Sequence, residues 1–421
     1  MLDIKFIREN KEKVKKAIED KGIKLDLDEL LKFDEKRRDF ITKIDSLRSE
    51  RNKVAKERNV EKGKAIKVKL ESLESESREA EKKYSELMLF VPNIPASDTP
   101  VGSDSKSNKE IRTWGEIPQF NFPIKNHIEL GENLGILDLT AGSKTAGFRG
   151  YYLKNEGALL SWAILNFALQ KIISHGFVPM VPPTSVHEFV LIGSGHFPFG
   201  KQDVFQIANP GKMESGEEIK NPIYLAGTSE PSLLAYFSDK TLSEKDLPIK
   251  VCALTQCYRS EIGDYGKDVK GLYRVHEFMK VEQVVICKND IKESEKLQDE
   301  MQSYSEEILQ ELKLSYHVVQ NSTGDMGAGK YRMYDIETWM PARNNYGETH
   351  SNSNLTDWQA RRLNIKFKNE KGEVNYCYTL NNTVIASPRI IIPILENYQN
   401  EDGSVNVPEV LQKYLNKKVI K

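Results

Sequence analysis

The densest run of chemistry-bearing residues in this 421-residue chain is RVHEFMKVE, Arg274 to Glu282. On an extended chain alternate side chains share a face. Arg274, His276, Phe278, Lys280 and Glu282 then stand together, opposite Val275, Glu277, Met279 and Val281. The second face is mostly apolar and suits a core. The first interleaves cations, an imidazole, an aromatic ring and a carboxylate. Upstream, VCALTQCYRSE (Val251 to Glu261) is another β-rich run, with Arg259 and Glu261 on one face. The polar, glycine-containing stretch Ile262 to Gly271 between them predicts an antiparallel hairpin. Arg259 and Glu261 would then share a sheet with Arg274, Phe278 and Glu282. Such a surface suits a nucleotide: a flat ring stacks on adenine, and guanidinium forks take phosphate oxygens bidentately. Carboxylates remain to hold an ammonium group or a metal. No GxxxxGK[ST] or GxGxxG follows a strand, so the common glycine-rich phosphate cradles are absent. An exposed sheet face with cross-strand salt bridges would carry similar residues.

The elements around this run are legible from composition and period. Hydrophobic residues make up 39% and charged residues 29%, which predicts a soluble, charge-rich protein with ample length for a core. No apolar run long enough for a membrane span and no apolar signal core are expected, so no membrane partner is either. The four cysteines, Cys252, Cys257, Cys287 and Cys377, form no CxxC pair. That argues against a zinc ribbon or a disulfide framework and for a cytoplasmic setting. Phe33, Phe40, Leu47 and Val54 recur every seven residues; Ile66, Leu70, Leu73, Ser77, Ala80, Tyr84, Leu87 and Val91 continue in steps of four and three. Two heptad seams with a turn at Arg58–Lys64, built on Asn59 and Gly63, predict an antiparallel coiled-coil hairpin. Its arms would span roughly 40 to 50 Å. From Arg48 to Lys69 nine Lys or Arg stand against three Glu. This cationic tip includes Arg48, Arg51, Lys53, Lys56, Arg58, Lys62 and Lys64, and fits a polyanion contact as well as a solvated face. The proline-containing stretch Val91 to Asn108 reads as a linker. The expected division is an N-terminal helical domain at 1–100, a linker at 101–112 and an α+β domain at 113–421. Within the last, the helix Glu156–His175 is apolar almost all round, which suits either a core or a subunit interface.

The spacing Tyr258-Arg259-x-Glu261, then Arg274-x-x-x-Phe278-x-x-x-Glu282, resembles motif 2 of the class II aminoacyl-tRNA synthetases. The wider chain is similar to the seryl-tRNA synthetase family over nearly its whole length, from MLDIKFIREN to LENYQ. GFVPMVPP (Gly176 to Pro183) resembles the dimer-forming motif 1, and TLNNTVIASPR (Thr379 to Arg389) motif 3. TSE (Thr228 to Glu230) resembles the serine-binding loop, and the stretch with Glu348 the one that supplies a metal-binding glutamate. The resemblance implies a class II catalytic domain on an antiparallel β-sheet flanked by helices, preceded by a coiled-coil arm. It implies ATP as substrate, with Mg²⁺ at Glu348 and Ser351. It assigns Arg259, Ser260, Glu261, Arg274, Val275, Phe278, Glu348, Ser351 and Arg389 to ATP, and gives Arg259, Arg389 and Glu348 the catalytic work. Adenine would lie between Phe278 and Arg389. Thr228, Glu230, Glu282, Asn381 and Thr383 would surround L-serine.

The implied reaction is serine activation to seryl-adenylate and transfer to tRNA-Ser by a homodimer whose basic arm meets the long variable arm of the tRNA. The family would extend charging to tRNA-Sec. Three departures stand out: Glu277 where the family has Gln, Glu348-Thr349-His350-Ser351 for its Glu-Ile-Ser-Ser, and Asn382-Thr383-Val384 for its Gly-Ser-Gly. His350 could be a metal ligand or a tolerated neighbour. Locally, Ser387 and Pro388 suit an N-cap and first helical position, which would let Arg389 open a helix Ile390–Tyr398. A ligase that loads a carrier protein is the nearest rival, but such relatives lack the arm. A non-catalytic RNA-binding paralogue would have lost Arg259, Glu282, Glu348 or Arg389.

Overall fold

The structure is a computed structural model that describes residues 1–209, 211–212, 215–261 and 271–421. Most of the expected hairpin loop Ile262 to Gly271 therefore lies outside the described residues. The chain forms two compact units, Met1–Ile94 and Pro95–Lys421.

The first unit opens with two short helices, Ile4–Glu9 and Lys11–Asp20, and continues into the long helices Leu27–Lys56 and Val60–Met88. Asp26 caps the first long helix by accepting from the Glu29 amide, and Asn59 caps the second by accepting from Lys62. The turn is shorter than expected. Only Glu57 to Asn59 separate the helices, and Gly63 lies inside the second one, because the Asn59 cap starts that helix ahead of the glycine. Ile44, Val54, Ile66 and Leu70 are buried between the arms, with Phe40, Leu47 and Leu73 packed beside them. The seam the heptads predict is thus the one that forms. At its base, fully buried Asp34 accepts from Arg38 Nε at 3.1 Å and Arg37 Nη2 at 3.3 Å, and lies 3.7 Å from Arg8 Nε. No periodicity marks that carboxylate; its partners come from two helices.

The second unit is built on an eight-stranded sheet. Its strands are β1 (Lys109–Trp114), β2 (Val178–Met180), β3 (Ile249–Tyr258), β4 (Glu277–Cys287), β5 (Tyr316–Gln320), β6 (Arg332–Met340), β7 (Asn345–Thr356) and β8 (Tyr378–Ser387). The order is β1-β5-β6-β7-β8-β4-β3-β2. Every pair is antiparallel except β2 with β3. The stretch expected as a linker contributes to this unit, since β1 pairs with β5 and the Thr323 amide donates to Pro100.

Helices Asn155–Ser174, Ile291–Glu311 and Ile391–Asn397 contribute to the main core alongside residues of the sheet. The first buries Leu160, Ile164, Ala168 and Ile172, yet leaves Trp162 60% and Leu159 40% exposed. By length and apolar composition it could cross a bilayer, contrary to the expected absence of such a segment, but half of its most apolar window is buried inside the protein. The helix Ile291–Glu311 meets the sheet through amides: Asn352 donates to the Gln298 carbonyl and to Gln302, and Asn382 to Ser305. Polar residues here are core residues, each paired with a specific partner.

Removing Asp34 leaves three arginines without their shared acceptor. Asp34→Ala is expected to lower the stability of the first unit by about 1–3 kcal/mol, since the arginines still reach solvent. Urea titration of the full chain checks this. Helix loss by circular dichroism moves to lower urea, while the fluorescence midpoint is unchanged, because Trp114, Trp162, Trp339 and Trp358 all lie in the second unit.

Candidate active site

The antiparallel partnership of β3 and β4 brings the two sequence runs together, with Tyr258 opposite Glu277. β4 starts at Glu277, later than the alternation from Arg274 suggests. Arg274 to His276 precede the strand, and a reciprocal pair holds them: the Arg259 amide donates to the His276 carbonyl at 2.9 Å, while His276 Nδ1 lies 3.0 Å from the Arg259 carbonyl. Glu261 also falls beyond its strand, in left-handed backbone at φ 48°, where its carboxylate takes Arg274 Nη1 at 3.2 Å. Glu277 binds Gln256 on the exposed side, away from Phe278.

A cavity of about 260 Å³ lies over this face. Arg259, Glu261, Val275, Phe278, Glu348, Ser351 and Arg389 line it, together with Tyr273, Lys280, His350 and Thr383. Two guanidiniums are aimed by backbone carbonyls. Arg259 Nε donates to Gly227 at 3.3 Å, and Arg389 Nε to Tyr273 at 3.0 Å. Each also lies over an aromatic ring, Arg259 5.3 Å from the Phe278 centroid and Arg389 4.6 Å from that of Tyr273. Gly227 permits the first contact: a Cβ there would sit 3.3 Å from Arg259 Cγ and 3.2 Å from the Tyr258 carbonyl. Arg389 does not open a helix as expected. β8 runs to Ser387, whose hydroxyl bonds Ser161, and the helix begins at Ile391. Ser387 is thus committed to the core and caps nothing.

Two of the expected nucleotide residues stand off the cavity. The Ser260 hydroxyl donates to the Gln202 carbonyl, and Arg274 engages Glu261.

Beyond Thr383 lies a buried polar cluster. Glu230 Oε1 accepts from Asn381 at 2.9 Å and Gln359 at 2.6 Å, and the Thr228 hydroxyl accepts from the Glu230 amide at 3.4 Å. Glu282 Oε2 lies 2.5 Å from Lys280 Nζ and accepts from the Thr383 hydroxyl, which Lys280 also reaches at 3.2 Å. Burial raises the Glu282 pKa above the usual carboxylate range; Lys280 opposes the shift and the charge of Glu230 adds to it. Alternation along β8 explains the split: Asn381 and Thr383 face the site, Asn382 the helix below.

Sequence patterns gave no role to Lys280, Gln359 or Tyr273. Lys280 was findable from its place on the Phe278 face. Gln359 meets Glu230 across 129 residues, and no local pattern announces it.

Glu348 and Ser351 lie on β7 either side of a bulge at Thr349, which re-aims one side chain relative to the next. Ser351 pairs in register with Asp335, a buried carboxylate whose pKa is raised well above the ordinary range. Burial is the main cause, repulsion from Glu348 the second, and hydrogen bonds from Asn321 and Ser351 work against them. An all-oxygen set opening on a cavity fits a hard divalent cation that keeps other oxygen ligands. Among the described residues no three His, Cys, Asp or Glu side chains converge as a self-sufficient metal centre. His350 is buried, with Nδ1 2.8 Å from the Thr349 hydroxyl, and burial lowers its pKa to about 3. It is a buried, neutral imidazole that lines the cavity.

Comparison with known proteins agrees along the whole chain. The profile of the seryl-tRNA synthetase N-terminal domain matches residues 1–95, and that of the class II tRNA synthetase core domain (G, H, P, S and T) matches residues 212–398. The serine–tRNA ligase of Deinococcus radiodurans is 43% identical, covering 99% of this chain and 97% of the relative. That of Rubrobacter xylanophilus is 39% identical, covering 100% and 99%. Among solved structures, seryl-tRNA synthetase from Pyrococcus horikoshii complexed with ATP superposes with a TM-score of 0.90 at 38% identity, covering 100% of this chain and 99% of the other. A cytoplasmic serine–tRNA ligase from Naegleria fowleri in complex with AMP gives 0.88 at 31% identity, covering 100% and 99%.

Arg259→Ala removes a guanidinium that faces open cavity, so the fold is expected to survive with its melting temperature unchanged. Serine-dependent ATP–pyrophosphate exchange is expected to fall by at least roughly 10²-fold. Full activity in that variant would mean the cavity is not where the chemistry occurs.

Proposed function

The chain belongs to the seryl-tRNA synthetase family, and from that premise we propose how its residues divide the work of activating serine with ATP and charging tRNA. The observation that carries the proposal is the pair of carbonyl-aimed guanidiniums, Arg259 and Arg389, opening on one cavity with Phe278. Arg259 binds the α-phosphate of ATP. Arg389 and Arg274 hold the outer phosphates, and adenine stacks on Phe278. Arg274 reaches the nucleotide by exchanging the part-buried Glu261 carboxylate for phosphate oxygens. Glu348 and Ser351 would hold Mg²⁺, which supplies positive charge to the outer phosphates. Serine's carboxylate attacks the α-phosphorus and pyrophosphate leaves. The nucleophile is already an anion, so no general base is needed. Rate comes from alignment and from charges fixed before the reaction starts. In the second step a terminal ribose hydroxyl of the tRNA takes the seryl group from the adenylate.

Serine sits toward the buried cluster. Glu230 takes its ammonium group, with Thr228 and Asn381 beside it. Glu282 accepts from its hydroxyl, with Thr383 beside it. Lys280 supports this reading, because its contact with the Glu282 carboxylate works against the rise that burial imposes on the Glu282 pKa. Alanine would leave that buried acceptor unmatched.

The arm provides the tRNA side. Arg51, Lys53, Lys56, Arg58, Lys62 and Lys64 are exposed around the turn and make no ion pair among the described residues, whereas Arg48 is shared with Glu74. Double-stranded RNA is read through shape and backbone, which suits such a tip and the long variable arm of tRNA-Ser. The exposed Trp162 and Leu159, with Val178 59% and Val181 97% exposed near motif 1, support a homodimer. The four cysteines are buried free thiols, which supports a cytoplasmic setting.

Three outcomes are expected. In ATP–pyrophosphate exchange, kcat/KM for alanine falls below that for serine by roughly 10⁴-fold or more; comparable values would remove Glu282 and Thr383 as the hydroxyl sensors. Deleting Asp26 to Pro92 leaves exchange intact and raises the KM for tRNA-Ser in aminoacylation. Charge reversal at Lys53, Lys56 and Arg58 weakens tRNA binding and flattens its salt dependence, the log–log slope falling by about one for each phosphate no longer neutralised. An unchanged KM in either case would take the arm out of recognition.

A further inference from the structure

We propose that His127 is a positioning residue for the nucleotide side of the active site, acting through one hydrogen bond to the backbone of Leu272. The proposal rests on the reading of the cavity as the ATP site. His127 does not line that cavity. It opens the helix His127–Asn133 and lies beside a second cavity that shares Tyr273 with the first.

Its two ring nitrogens have different duties. Nδ1 lies 3.0 Å from Glu396 Oε1, and the Leu272 amide approaches Nε2 at 3.3 Å. A backbone amide only donates, so Nε2 is the acceptor and the ring proton sits on Nδ1, donated to Glu396. Glu396, at 1% exposure, fixes this arrangement: Oε1 also accepts the His127 amide at 3.0 Å, and Oε2 the Ala342 amide at 3.1 Å. The approach is close enough to demand glycine at 271. Its φ is 80°, and a Cβ there would lie 2.3 Å from His127 Nε2.

The next residue along is Tyr273. Its carbonyl aims Arg389, and its ring lies under Arg389 and under Arg343, each at 4.6 Å. Arg343 follows Ala342, the other residue that Glu396 holds. One buried carboxylate therefore sets two backbone segments that meet at Tyr273, and His127 is the link to the first. The serine side hangs from β4 and β8 instead, through Glu282, Thr383 and Asn381. Loss of the His127 bond should disturb ATP and spare serine.

Two polar variants of the full chain separate the duties. In His127→Asn the amide still reaches Glu396 but ends short of Leu272. His127→Gln extends an oxygen to where Nε2 stands. In ATP–pyrophosphate exchange, His127→Asn is expected to raise the KM for ATP about tenfold, as for a buried amide left without its acceptor, with the KM for serine within about twofold. His127→Gln is expected to stay within about threefold of wild type for both. Equal ATP defects in the two variants, a parallel rise in both KM values, or an unchanged ATP KM in His127→Asn would overturn the proposal. Wild-type protein without serine-dependent exchange would overturn the premise, and the proposal with it.

Discussion

The nucleotide side of the second unit depends on one constraint: a guanidinium meant for a phosphate must be held still while most of its charge stays available. A carboxylate partner would fix an arginine and cancel its charge at once. Here Arg259 is held at Nε by the Gly227 carbonyl. Arg389 is held by the carbonyls of Tyr273 and Glu348, with the Glu348 carboxylate 3.7 Å from Nη1, a looser contact than a hydrogen bond. An aromatic ring supports the plane of each fork. A carbonyl is a dipole, so it orients the group and leaves its net charge for the ligand. The carbonyls are useful only if their own segments are rigid. That requirement explains the close approach at Gly227 and the buried Glu396 behind Tyr273.

The serine side solves the opposite problem. There the protein needs buried acceptors, and burial disfavours a carboxylate. Glu282 is kept beside Lys280 and Thr383, and Glu230 beside Asn381 and Gln359. One side of the fold thus presents half-buried cations next to supported anions. Bulges at Thr349 in β7 and at Val384 in β8 break the simple alternation where the two regions meet.

Local pattern revealed the parts, and distant contacts decided how they act. The β3–β4 partnership was legible because both runs are β-rich and a polar, glycine-containing stretch separates them. The coiled-coil seam was legible from its heptads, although Gly63, a turn former by type, lies inside the second helix; a capping asparagine overrides a glycine that a helix can tolerate. Arg274 misled as a strand residue, since alternation continues past Glu277 while the ladder does not. Ser387-Pro388 looked like a helix start, but Ser161, 226 residues away in sequence, claims the serine. Asp34, Gln359 and the pairing of His127 with Glu396 left no periodic trace. Their meaning lies wholly in partners that only the fold supplies.

A crystal structure of the full chain with a non-hydrolysable seryl-adenylate analogue tests the central claim most directly. The account predicts Arg259 Nη atoms within hydrogen-bond distance of the α-phosphate, adenine against the Phe278 ring, and the seryl hydroxyl on Glu282 and Thr383. An analogue bound with its phosphate away from Arg259, or with Phe278 untouched, would contradict it.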